Sequence, residues 1–195
     1  MWFKNLYLYR LPKHWAVDAA GLEEQLAGLT LQGCNATDPR SIGWVPPREG
    51  GPLIHSVNQQ WLLALGIEEK LLPASIVKRF ASDKAKAIEE AEGRRIGRKE
   101  MREIQEEMTL ELLPRAFIRS RTTFAWIDRS NGWLVIDSAA PAKAEEFLEH
   151  LRKSLESLPA KVLKVTQSPS AAMTGWVAEG EAPAGFTLDQ DLELR

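Results

Sequence analysis

The residues of this chain best suited to chemistry are cations. From Arg115 onward, the run Leu112-Leu113-Pro114-Arg115-Ala116-Phe117-Ile118-Arg119-Ser120-Arg121 sets an arginine or an aromatic at every second position. Read as a strand, it puts Arg115, Phe117, Arg119 and Arg121 on one face and Ala116, Ile118, Ser120 and Thr122 on the other, because side chains alternate across a pleat. Guanidinium groups with one aromatic among them suit a phosphate backbone better than a hydrophobic core. A second cationic group lies upstream. Between Arg94 and Arg102 stand five basic residues (Arg94, Arg95, Arg98, Lys99 and Arg102) and one acid, a local charge of +4. They can contact phosphates, or pair with Glu92, Glu100 and Glu103 around a turn.

Other chemistries are poorly provided for. His14, His55 and His150 lie in unrelated segments. Glu146 and His150 are four apart on an expected helix, a spacing that can hold a metal, but such a lone pair is more often a surface interaction. Gly93-Arg94-Arg95-Ile96-Gly97-Arg98-Lys99-Glu100 is one residue short of a phosphate-binding loop, lacks the Ser or Thr after its lysine, and follows a helix rather than a strand. No Gly-x-Ser-x-Gly elbow is present. The single cysteine, Cys34, excludes an internal disulfide and a cysteine-rich zinc site, and fits a reducing cytoplasm. Asp128 and Asp137 flank Asn131-Gly132 and come nearest to the carboxylate pair of a metal-dependent nuclease. Pairing Ser130 with Trp133 across a two-residue turn sets Asp128 opposite Val135 and Asp137 opposite Trp126, on different faces. No catalytic residue, metal ligand or cofactor site is assigned, and the chain is not read as an enzyme.

The elements that must position the cations follow from pattern. At 195 residues and 44% hydrophobic composition the chain can bury a real core. Its net charge of −2 is not that of an overall basic binder, but charge is unevenly spread, and Thr166–Arg195 holds five acids and one base. Trp2–Leu11 reads as a strand that does not resemble a signal peptide, and no run of about 18 apolar residues exists to span a membrane. Asp18 caps a helix with Leu22, Leu26 and Leu29 on one side. Leu31–Asn35 is expected to be a short strand, Thr37–Gly51 a loop, and Ile54–Val57 and Trp61–Ile67 two further strands. Pro73 opens a helix with Ile76, Val77, Phe80, Ala81 and Ile88 at helical spacing. A second helix, from about Arg98 to Leu112, carries Met101, Ile104, Met108 and Leu112 in a stripe. Together they make a protruding charged αα-hairpin with a basic tip. Arg115–Asp128 and Trp133–Ser138 form a β-hairpin, Pro141–Ser157 an amphipathic helix, Val162–Val165 a short strand, and Ser168-Pro169 opens a last helix. Trp2, Trp61, Trp126 and Trp133 are expected in the core. The fold class is α+β, with mixed or mainly antiparallel sheets and packed helices. Three parts are expected: a body over 1–72, the hairpin over 73–113, and a second body over 114–195 packed against the first or against a partner subunit.

Several stretches resemble the bacterial recombination-associated protein RdgC family. They are Met1-Trp2-Phe3-Lys4-Asn5-Leu6 with Tyr9-Arg10-Leu11, Gly43-Trp44-Val45-Pro46-Pro47, Glu68-Glu69-Lys70-Leu71-Leu72-Pro73, and Leu112-Leu113-Pro114-Arg115-Ala116-Phe117. Further matches are Asp137-Ser138-Ala139 with Lys143-Ala144-Glu145, Leu151-Arg152-Lys153-Ser154-Leu155 with Leu158-Pro159, and Thr174-Gly175-Trp176 with Gly185-Phe186. The resemblance implies a cytoplasmic, nucleoid-associated protein that binds single- and double-stranded DNA without sequence preference. It implies a ring-shaped homodimer with a basic hole that restrains the RecA recombinase by occupying its DNA, with no membrane partner. Members of that family extend beyond the position matching Arg195, through a region implied to aid DNA contact and ring closure. On this reading Arg94, Arg95, Arg98, Lys99, Arg102, Arg115, Arg119 and Arg121 meet phosphates. Phe117 can stack on a base or be plain core, but in a ring-forming family it is placed at the dimer contact. The alternatives are a metal-dependent nuclease, or a dimerisation scaffold that needs the further carboxy-terminal region to bind DNA.

Overall fold

In the computed structural model, residues 3–12, 15 and 17–188 are described. The expectations for Trp2, His14 and the final Glu193-Leu194-Arg195 lie outside them. The strands in chain order are β1 (Leu6–Arg10), β2 (Arg40–Val45), β3 (His55–Val57), β4 (Gln60–Leu71), β5 (Phe117–Asp128), β6 (Trp133–Asp137) and β7 (Lys161–Val162). The helices are α1 (Ala19–Ala27), α2 (Ala74–Glu92), α3 (Arg98–Leu112), α4 (Pro141–Ser154) and α5 (Pro169–Glu179). One compact unit ends at Lys161 and a second begins at Val162.

The first unit is built on β4 and β5, twelve residues each, paired antiparallel from Gln60↔Asp128 to Leu71↔Phe117. Around them the order is β2-β4-β5-β6-β1, with β3 also on β4, and each of these pairs is antiparallel. The fold is α+β. Residues of one parity face α1 and α4: Leu63, Leu65, Ala125, Ile127, Leu134 and Ile136 from the sheet meet Leu22 and Leu26 of α1 and Ala144, Phe147, Leu148 and Leu151 of α4. Trp44 joins the layers. Its ring lies edge-on to Phe147 at 5.3 Å, and its Nε1–H donates to Ser154 Oγ at 2.7 Å. Burying so much apolar side chain is the main force holding the helices on the sheet.

Two expected features of the amino-terminal half change. Arg40–Val45, expected within a loop, is a strand, because it pairs with β4 from Arg40↔Glu69 to Val45↔Ala64, and Gly43 lets the Thr30–Leu31 backbone approach its other side. A Cβ at Gly43 would sit 2.3 Å from Leu31 N. The expected strand over Leu31–Asn35 reduces to a single bridge between Thr30 and Trp44, and the strong local breakers hid both outcomes. Asp18 does cap α1, accepting from Gly21 N at 2.8 Å, and Leu22 and Leu26 are buried, whereas Leu29 is exposed.

α2 and α3 pair antiparallel along a seam of Val77, Ala81, Ala85, Ile104 and Met108. Gly93 ends α2 in the left-handed region at φ +65°, donating its N–H to Glu89 O, as glycine can without a Cβ penalty. Ile76 and Phe80, expected on the seam, are turned to solvent.

The β5–β6 register also differs from the two-residue turn expected for Asn131-Gly132. Asp128 pairs with Trp133 and Trp126 with Val135, so Arg129–Gly132 form the loop. The cause is Asp128 itself, whose carboxylate accepts from Asn131 N at 3.0 Å and Asn131 Nδ2 at 2.8 Å. This side-chain turn competes with the tight hairpin. Alternation along β6 then puts Asp137 on the same face as Trp133 and hence as Asp128, which corrects the assignment to different faces. That face is the one α4 does not cover, so Trp126, expected in the core, is 37% exposed and donates to Gln60 Oε1.

In the second unit, Ser168 caps α5 by accepting from Ala171 N, and the Trp176 and Phe186 rings meet at 5.0 Å. The stretch from Gly185 to Leu188 is not a strand.

Candidate nucleic-acid interface

The strand carrying the regular cations begins at Phe117 rather than Arg115. Leu113–Arg115 is a single 3-10 turn, with Pro114 inside it, so Arg115 falls outside the alternation. Phe117, Arg119 and Arg121 do share a face. It is the core face of the sheet, continued past the end of α4. Exposure climbs along this one strand face, from Ile127 and Ala125 at 0% through Thr123 at 8% to Phe117 at 84%. The helix covers the first half, and the cations occupy the part it leaves open.

There the strands bring three residues into one row. Arg40 of β2 pairs with Glu69 of β4, and Glu69 pairs with Arg119 of β5. Arg119 donates to Glu69 Oε2 at 2.8 Å, Arg40 Nε lies 3.4 Å from Glu69 Oε1, and Arg121 lies 3.6 Å from the same oxygen. The Arg119 hydrogen bond and the nearby Arg121 and Arg40 charges hold the Glu69 carboxyl below its ordinary range. Glu146 of α4 closes the group from above. It accepts from Arg121 at 3.0 Å and from Arg40. Lys143, one turn earlier on α4, lines the same cavity and has no carboxylate partner among the described residues.

The upstream cations form a separate group at the bend between α2 and α3. Arg94 stays at the surface but is tied to two acids, with Nε 2.6 Å from Glu92 and a forked pair of bonds at 2.6 and 2.7 Å to Glu100. These bonds raise the Arg94 pKa and lower that of Glu100. Lys99 faces Glu103 at 3.9 Å and Arg102 faces Glu106 at 3.1 Å, both one helical turn apart. Arg95, Arg98 and Arg115 have no carboxylate partner among the described residues and are exposed.

The acids that invited a nuclease reading have structural partners. Asp137 Oδ1 accepts from the backbone N–H groups of Lys4 and Asn5 at 3.0 and 3.2 Å. Burial pushes the Asp128 carboxyl up, but the hydrogen bonds from Asn131, Gln60 and Ser130 outweigh it and its pKa falls. Glu146 and His150 diverge. Glu146 meets arginines, while His150 is buried with its ring 5.2 Å from that of Trp44. Among the described residues no three of His, Cys, Asp and Glu gather as a metal-sized group.

Arg40 and Lys143 were missed as site residues. Arg40 opens a strand that reads as a loop, and Lys143 looks like one more solvated helix charge. The available signal was the Lys143–Glu146 spacing on α4, which puts both on one helix face.

A family model described as "Putative exonuclease, RdgC" matches residues 1–195. The chain belongs to the RdgC family. Curated relatives named "Recombination-associated protein RdgC" are similar along all of it. That of Dechloromonas aromatica (strain RCB) is 49% identical over 195 residues, 100% of this chain and 64% of the relative. Those of Herminiimonas arsenicoxydans and Bordetella pertussis (strain Tohama I) are 52% and 53% identical, covering 100% of this chain and 65% of each relative. The chain thus spans 64–65% of the length of these RdgC relatives. The relatives are named for recombination, whereas the family description names an exonuclease. No described helix is long and apolar enough to cross a membrane.

Proposed function

We propose that this chain is a DNA-binding protein without sequence preference. It modulates homologous recombination by occupying single- or double-stranded DNA and so restraining the RecA recombinase. The observation that carries the reading is the open end of the β4–β5 face, where Arg40, Arg119 and Arg121 converge with Lys143 from the edge of α4. Such a surface is suited to phosphates, and contacts to phosphate position a protein on the backbone without reading sequence. The exposed Arg95 and Arg98 at the hairpin bend offer a second, separate set of cations, and Arg115 lies exposed just before β5. Arg94, Lys99 and Arg102 contribute less in this reading, because each has a carboxylate of its own in Glu100, Glu103 and Glu106, whereas Arg40, Arg119 and Arg121 share only Glu69 and Glu146 and keep an excess of positive charge.

The protein acts as a homodimer that closes into a ring around DNA, in the nucleoid. Phe117 supports the dimer. It is 84% exposed at the end of β5, opposite Leu71, itself 45% exposed. An apolar knob of this kind anchors a protein contact more readily than it serves duplex DNA. Closure adds a topological grip to the electrostatic one, so release then requires an interface to open.

Mobility shift at several salt concentrations tests the reading. Replacing Arg115, Arg119 and Arg121 together by Ala is expected to weaken binding to all sequences alike and to flatten the salt dependence. An unchanged salt slope would overturn the role given to these residues.

A further inference from the structure

The cavity of about 570 Å³ between the β2–β4–β5 end of the sheet and α4 is more than a link between layers. Four cations line it (Arg40, Arg119, Arg121 and Lys143) against two carboxylates, Glu69 and Glu146. Formal charge at the site is therefore +2. Each carboxylate is shared. Glu69 faces three guanidiniums and Glu146 two. Shared carboxylates fix the guanidinium planes in place, and these planes match tetrahedral oxyanions through forked hydrogen bonds. The rotamer cost of gathering the three arginines is thereby largely met before any ligand arrives. The site is also wet. Arg119 and Arg40 side chains are 61% and 40% exposed, so an anion reaches them without opening the fold.

We propose that this cavity is a phosphate-binding site whose affinity is held down by Glu69 and Glu146. A phosphate oxygen approaching Arg119 or Arg121 takes up the same N–H groups that the carboxylates now accept from. Binding is thus an exchange of one acceptor for another, and Lys143, unpaired, supplies the charge that tips it. This makes the acids tuning elements, since with them in place the protein can be displaced from its ligand. Phosphate in a polynucleotide backbone and phosphate on a small molecule offer the same chemistry here. The polynucleotide case rests on the DNA-binding reading; the site itself does not.

The sign of the effect is unusual and testable. Glu146→Gln and Glu69→Gln are expected to tighten binding of a short DNA duplex by about two- to fivefold, the span of an exposed charge pair. The salt slope should steepen by about 0.9 for each acid removed. Lys143→Ala and Arg121→Ala are expected to do the reverse. In parallel, melting of the chain is followed in inorganic phosphate and in chloride at equal ionic strength. Phosphate is expected to raise the melting temperature of the wild type, more so of Glu146→Gln, and not of the Arg121→Ala/Lys143→Ala double variant. Competition by the duplex against phosphate would assign the site to a backbone, and its absence would assign it to a small phosphate ligand. A network that only ties α4 to the sheet would instead lose melting temperature in Glu146→Gln and leave phosphate and DNA binding unmoved, which would overturn the proposal. Phosphate binding that depends on Arg121 and Lys143 in a chain that binds no DNA would sink the DNA reading and leave this site standing. DNA binding and phosphate stabilisation both indifferent to these variants would overturn the site and leave the DNA reading standing.

Discussion

Arg121 of β5 and Glu146 of α4 meet at 3.0 Å, at the place where the helix stops covering the sheet. On one side of this pair lies the apolar core, and on the other the same strand face carries only Arg119 and then Phe117. The pair marks where a packing surface becomes a charged one.

On the core side, Phe147 is fully buried against Trp44. Phe147→Ala is expected to cost about 3–5 kcal/mol, the usual loss on emptying an aromatic site. Urea denaturation measures it directly. A loss below about 1 kcal/mol would mean that α4 is not held on the sheet by this contact.

Gly43 is expected to tolerate no side chain. Its Cβ would fall 2.3 Å from Leu31 N and 2.6 Å from Leu31 Cα, both backbone atoms that cannot rotate away. Gly43→Ala should therefore lower the thermal midpoint markedly, whereas Gly97→Ala, which meets nothing within 4 Å, should not. Equal midpoints for the two variants would contradict the crossing of β2 by the Thr30–Leu31 segment.

His150 sets a pH dependence. Burial holds its pKa below the ordinary imidazole value of 6.5. As pH falls below that value, the unfolded chain takes up the proton before the folded one does. Stability is thus fully present above it and is lost as pH falls toward the lowered folded-state pKa. His150→Gln is expected to flatten the stability profile over that window while leaving the more acidic carboxylate titrations in place. A slope that persists in the variant would assign the effect to another group.

Much of this arrangement was legible in the sequence. The helical hairpin could be read because Val77, Ala81, Ile104 and Met108 repeat at helical spacing, and the alternation of Phe117, Arg119 and Arg121 set their common face. What could not be read depends on partners distant in sequence. β2 carries two prolines just beyond its end and a glycine inside it, and it is pairing with the distant β4, with Thr30–Leu31 close against Gly43, that makes it a strand. The β5–β6 register followed the Asp128 carboxylate rather than the Asn131-Gly132 dipeptide. Glu69 and Glu146 looked like ordinary surface acids until the register set one beside Arg40 and Arg119 and the helix brought the other to Arg121.

Phe117 should decide self-association. Phe117→Ala is expected to shift sedimentation toward the monomer at micromolar concentration while leaving the unfolding free energy within about 1 kcal/mol of wild type, because an exposed side chain contributes little to folding. Unchanged sedimentation would remove Phe117 from the dimer contact.

At the hairpin bend, the two arginines without carboxylate partners should matter more than the one tied to two acids. Arg95→Ala and Arg98→Ala are each expected to weaken DNA binding and to reduce the salt slope by about 1. Arg94→Ala should change the slope less, since its fork already holds Glu100. Equal losses from all three would show that the internal pairing is broken on binding.

The most direct test is fluorescence anisotropy on a linear duplex and on a single strand of equal length, across a salt series. Binding to both, with affinity falling steeply as salt rises, is the result expected of a chain whose open sheet end and hairpin tip face phosphates. No binding to either at low salt would contradict the central claim, and this chain would then be a dimerisation scaffold rather than the DNA contact itself.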